Sequence, residues 1–200
     1  PHVTAAKRFA CALAGAMLLS FAGVARAAET LLVFPFRAVN TASPATAEPA
    51  APWLAGAFMV SLAERIQGPY LLAVSPTQTL SILDARGRSW EQGQSMASAL
   101  SIARDVEADL MITGTYSLIS GRRIRIQAVL VQVEPLKALG SAIREDSLDA
   151  LQGILEDLRQ KLGATIWLTQ PAFLKEPVPL AAYEAYVKAI LHPDAQPTIR

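Results

Sequence analysis

The chain contains one cysteine and two histidines in 200 residues, and aromatic residues make up 6% of it. A lone thiol cannot close an intrachain disulfide, so no covalent framework is expected. So little histidine leaves few routes to a histidine-based metal site or a Ser-His-Asp triad. Charge imbalance is also missing: 18 basic residues face 17 acidic ones, a formal +1. Nucleic-acid binding wants a strongly basic face, so it is not expected. The chain has no G-x-S-x-G elbow, phosphate-binding glycine loop or dinucleotide fingerprint. The expectation is a protein with no catalytic residues, no cofactor and no metal.

The first 27 residues sharpen each of these points. Lys7 and Arg8 precede the apolar run Phe9 to Val24, and Ala25-Arg26-Ala27 follows it. That is the order of a secretory signal peptide, with cleavage expected after Ala27. Retention as a membrane anchor is the other reading, but the run falls short of the ~20 apolar residues a span needs. Cys11 stands at the start of the run, whereas a lipoprotein anchor would need it just beyond the end. The expected location is therefore the periplasm. Removing Lys7, Arg8 and Arg26 takes 18 basic residues to 15 against 17 acidic ones, a formal −2. Cys11 and His2 leave with the segment, and His192, in a Pro-flanked tail, is then the only histidine.

The rest of the chain is organised around Ala108 to Pro135. Two β-branched apolar runs are joined there by Ser120-Gly121-Arg122. In the second run Ile124, Ile126, Ala128 and Leu130 fall on one face, with Arg123, Arg125 and Gln127 on the other. Alternation across a glycine-bearing turn predicts a hairpin with one buried face. Upstream, Thr30 to Phe36 reads as a buried strand, Trp53 to Gln67 as a helix and Tyr70 to Ser75 as a strand, a parallel βαβ unit. Asn40 to Pro52 reads as a Pro/Ala/Thr-rich loop. Ser95 to Glu107 is a second helix, Ser141 to Glu145 a short strand, and Ser147 to Leu162 a leucine-striped helix closed by Gly163. The expected fold class is α/β, a mixed sheet of about five strands with a βαβ unit and a β-hairpin, covered by about three helices. Residues 1–27 are the signal peptide, 28–168 the α/β domain and 169–179 a Pro-rich linker. Residues 180–200 read as the start of a truncated helical region or as a helix that docks back on the domain.

Candidate sites are few. Asp105, Glu107 and Asp109 are spaced by twos, which spreads them as a solvated face rather than a metal site. Glu156 and Asp157 are neighbours that point differently on a helix, so they do not make an acid–base pair. Gly114 suits a bulge or close packing within a strand. Arg122, Arg123 and Arg125 could meet an anionic lipid, a glycan acid or an acidic partner. The plainer reading is a solvated hairpin whose arginines blunt a sheet edge against aggregation.

Several of these stretches together carry a family resemblance. Val33-Phe34-Pro35-Phe36 is similar to an apolar strand ending in a Pro-Phe pair, and Trp53-Leu54-Ala55-Gly56 to an aromatic-x-x-Gly helix opening. Ala108-Asp109-Leu110-Met111-Ile112-Thr113-Gly114-Thr115 and Gly121-Arg122-Arg123-Ile124-Arg125-Ile126 match a strand into Gly-Ser/Thr, then Gly-x-Arg-apolar-Arg-apolar. Ala181-Ala182-Tyr183-Glu184-Ala185-Tyr186-Val187-Lys188 is similar to a segment entering a repeat array. In this order they resemble the TolB-like amino-terminal domain that precedes tetratricopeptide repeats in bacterial proteins. The chain departs from that pattern at Gly140 to Glu145, where the family usually carries an aromatic and an acid. The resemblance implies a mixed sheet covered by helices, acting as a non-enzymatic scaffold or interaction module with envelope protein partners. It implies as an alternative a secretion or assembly factor at the outer membrane, peripherally associated and oligomerising through this domain.

Overall fold

The computed structural model describes residues 28–39, 51–119, 122–166 and 178–192. The expected signal peptide with His2 and Cys11, most of the expected Asn40–Pro52 loop, Ser120 and Gly121 of the expected turn and most of the expected linker lie outside the described residues. The elements run β1 (Glu29–Val33), β2 (Arg37–Ala38), α1 (Pro52–Arg65), β3 (Leu71–Ala73), α2 (Pro76–Asp84) and α3 (Met96–Asp105). There follow β4 (Leu110–Ile119), β5 (Arg123–Gln132), β6 (Lys137–Ser147), α4 (Leu151–Thr165) and α5 (Leu180–Leu191). Among the described residues no helix is long and apolar enough to cross a membrane.

The strands form one mixed sheet in the order β3-β1-β4-β5-β6, with β2 against β4. β1 pairs in parallel with both β3 and β4, so β1, α1 and β3 make the expected βαβ unit. β4, β5 and β6 are antiparallel, and the hairpin pairs Leu110 with Gln132 through to Ile119 with Arg123. Arg122 enters β5 with a positive φ of 59°, the left-handed region that a tight turn uses. β6 extends well beyond the short strand read from sequence. A register shift between Leu130 and Val131 gives it an extra residue, which interrupts the alternation that would have marked its length.

The larger core lies on one face of the sheet, under α1, α4 and α5. Ile124, Ile126, Ala128 and Leu130 are fully buried in it, as the alternation requires. Phe36 stacks on Phe58 at 4.9 Å between ring centroids, and Phe58 meets Tyr116 at 5.6 Å. Gly114 lies beneath this cluster: a Cβ there would strike the Phe36 ring and the Gln127 carbonyl, so the glycine serves close packing. α1 is apolar nearly all round, and a helix of that kind must be covered on more than one side. α5 supplies the second cover through Tyr183, Val187 and Leu191. The Leu191 side chain occupies the space a Cβ on Gly56 would need. Tyr183 shares a hydrogen bond with Ser61 and donates to the Ala57 carbonyl at 3.2 Å, while Tyr186 donates to Glu64 at 2.5 Å. Tyr186 is on the exposed side of α5, not on its buried stripe.

Among the described residues a smaller core covers the other face at one end only. Leu83 of α2 and Ala99, Ile102 and Ala103 of α3 pack there over Leu32, Phe34, Met111 and Val131. α2 escapes the sequence reading, although its start is well marked. Ser75 caps it by accepting from the Gln78 amide at 3.3 Å, the Gln78 side chain returns to the Ser75 amide, and Pro76 opens the helix.

Candidate functional site

Because α2 and α3 stop short, the lower half of the second sheet face carries polar side chains. Strand register fixes who stands beside whom. Thr115 pairs with Arg37 of β2 on one side and with Gln127 of β5 on the other, and Gln127 pairs with Ile143 of β6. The neighbouring row runs Ser117, Arg125, Glu145, and the next runs Ile119, Arg123, Ser147. Paired residues point to the same side of a sheet, so Arg37, Arg123, Arg125 and Gln127 share one face. All four are exposed, and Ile143 beside them is 49% exposed. Along β4 the side chains are short, and Thr113 and Ser117 retain only 4% exposure. The surface is therefore a floor of short β4 side chains, with Thr115 half-buried, flanked by exposed guanidinium and amide groups.

The three arginines singled out by sequence do not stand alike. Arg122, at the turn, pairs with Asp149 at 3.1 Å, and Arg123 pairs with Glu145 at 2.9 Å. Arg125 has no ion pair among the described residues, and neither has Arg37. Arg37 is the residue that sequence reading misses. It lies far from the hairpin along the chain, and only the two-residue pairing of β2 with β4 brings it alongside.

Four of the five acids considered from sequence are engaged in holding elements together. Asp109 accepts from the Thr30 amide at 2.7 Å and joins β4 to β1. Asp105 faces Arg86 at 3.5 Å, and Glu107 is a turn residue with φ of 54°. Glu156 and Asp157 diverge as their adjacency suggests. Asp157 pairs with Arg144 at 2.8 Å, while Glu156 accepts two bonds from Arg159 Nε at 3.0 and 3.1 Å and one from its Nη2 at 2.7 Å. Arg65 approaches the same carboxylate at 3.9 Å and donates to Gln152 at 2.6 Å, so this cluster seams α1 to α4. The Arg159 hydrogen bonds hold the Glu156 carboxyl below the usual carboxylate range. Burial pushes the phenols of Tyr116 and Tyr183 up to about 12, and both stay protonated as hydrogen-bond donors in the core.

Two clefts lie elsewhere on the described surface. One of about 510 Å³ is lined by Leu72, Val74, Ser75, Gln78, Ile82 and Val106, beside the β3 edge. Another of about 330 Å³ is lined partly by Asp109, Gln132, Glu134 and Thr165, with Glu134 held by Arg104 at 3.0 Å.

No model of a known protein family matches the chain, and no curated protein matches it. Among solved structures it is similar to the LpoB C-terminal domain from Escherichia coli, at 22% identity and a TM-score of 0.43, covering 66% of this chain and 91% of that one. It is similar to lipoprotein GNA1162 from Neisseria meningitidis at 14% identity and a TM-score of 0.44, covering 64% and 92%. For TolB from Acinetobacter baumannii the values are 10% identity and a TM-score of 0.44, covering 72% of this chain and 30% of that one.

Proposed function

We propose that the domain is a non-enzymatic protein-interaction module of the bacterial cell envelope, exported to the periplasm and carried at the head of a tetratricopeptide-repeat protein. The observation that carries this reading is the half-open sheet, whose second face presents Arg37, Arg125 and Gln127 without a covering helix among the described elements. The signal-peptide pattern of residues 1–27 supports the address. The roles of Asp105, Asp109, Glu156 and Asp157 in joining elements support a framework over a reaction centre. Fractionation of cells expressing the full-length chain tests the address. Recovery in the periplasm with a new amino terminus at Ala28 is expected; cytoplasmic recovery of the uncut chain would refute it. A native protein no longer than this sequence would remove the repeat half of the reading.

The alternative is an outer-membrane-associated assembly or secretion factor that oligomerises through the domain, and one observation favours it. The two sheet edges are not equally protected. β3 has its outward groups at Leu71 taken by Gly68, with hydrogen bonds of 3.2 Å in both directions. β6 spans 11 residues and pairs only with β5 among the described strands. An edge of that length is a template for a further strand. Sedimentation of purified protein separates the readings: a concentration-independent monomer sinks this alternative and leaves the interaction module standing.

A further inference from the structure

The open face is more selective than a general basic patch. Among the described strand residues it carries Arg37, Arg123 and Arg125 against a single acid, Glu145, and Arg123 already neutralises that acid at 2.9 Å. Two guanidinium groups are left over, on a chain whose mature form is acidic overall. Donors therefore dominate: two arginines, the Gln127 amide and the half-buried Thr115 hydroxyl. Register sets their separation. Arg37 and Arg125 stand two strand spacings apart and one side-chain row out of step, about 12 Å between Cα atoms.

We propose that this face binds an acidic, extended polypeptide segment of a partner protein, with one carboxylate at Arg37 and a second at Arg125. The proposal rests on the interaction-module reading above and names the partner chemistry for that face. At ~3.3 Å per residue, a 12 Å separation corresponds to carboxylates three or four residues apart in an extended strand. Each can take the paired N–H donors of a guanidinium, the geometry that favours arginine for carboxylates. Ile143 ends the row that holds Arg37 and Gln127 and gives an apolar contact at the β6 rim. Gln127 and the Thr115 hydroxyl suit the amides of a peptide backbone. A glycan is less well served, because the one β4 aromatic, Tyr116, points into the covered core. A lipid surface is less well served too: among the described residues Ile143 is the one exposed large apolar side chain beside Arg125 and Gln127, and Leu72, on the same side of the sheet, lies away at the β3 edge.

The test uses full-length mature protein and fluorescein-labelled poly-L-glutamate as the probe. Anionic vesicles and polygalacturonate serve as comparison ligands. Poly-L-glutamate binding should weaken about tenfold in Arg37→Glu/Arg125→Glu and by a smaller factor in Arg37→Gln/Arg125→Gln. Arg88→Glu, a charge reversal in the exposed turn after α2, should leave it unchanged. Because Arg37 and Arg125 hold no described partner, the variants should melt like the parent, which separates lost binding from lost folding. Equal weakening by Arg88→Glu would reduce the effect to bulk charge and overturn the proposal. So would tighter binding of vesicles or polygalacturonate that the double reversal abolishes. Neither result bears on export, and cytoplasmic retention would sink the envelope reading without touching the binding result.

Discussion

The two faces of the sheet solve different problems with the same strands. On the covered face β5 presents Ile124, Ile126, Ala128 and Leu130, all fully buried under α1, α4 and α5. On the other face the same strand presents Arg123, Arg125 and Gln127, and among the described residues helices reach only the far end. One face holds the domain together and tolerates little change in volume. The other, beyond the smaller core under α2 and α3, contributes little to stability, and its residues there are free to serve recognition. Alternation along a single strand is enough to divide the labour.

The largest test of that division is Phe58→Ala. Phe58 is fully buried between Phe36 and Tyr116, so its loss should cost about 3–5 kcal/mol in urea unfolding. Gly56→Val should cost about 1–3 kcal/mol, because the new side chain occupies the Leu191 site and lifts α5 from α1. Adding Leu191→Ala should return part of that loss if the clash is the cause, and a double-mutant cycle measures it. Glu156→Gln should cost about 1–2 kcal/mol at neutral pH by weakening the hold on Arg159, which is 4% exposed. The pH dependence follows from the lowered Glu156 pKa: its contribution is full above the unfolded-state carboxyl value and fades as pH falls through the folded-state value. Parent and variant unfolding curves should therefore converge in acid. Smallest of all, Arg125→Ala on the open face should change stability by less than about 0.5 kcal/mol. A loss comparable to that of Phe58→Ala would erase the distinction between the faces.

Much of this was legible in the sequence, and the failures have physical causes. The hairpin follows from period-two alternation, and the Leu148 to Leu162 stripe from helical spacing; Leu148 proves to lie in a 3-10 turn (Leu148–Ala150) at the start of α4. α2 was missed because it is short and its apolar positions are few. Its marker was local, the Ser75-Pro76-Thr77-Gln78 cap. The docking of α5 was one of two readings of a short helix with nothing else to bury against; what it covers is α1, buried along most of its length. Arg37 was not legible at all. It joins Arg125 through the register of a two-residue strand, and nothing in the neighbourhood of Phe36 or Ala38 announces that pairing.

The most direct measurement places a photo-crosslinking residue at Gln127 on the open face and, separately, at Gln160 on the solvent side of α4, in the full-length protein in cells. The account predicts a discrete adduct from position 127 that disappears in Arg37→Glu/Arg125→Glu, and none from position 160. An adduct from position 160 alone, or one from position 127 that survives the double reversal, would contradict it.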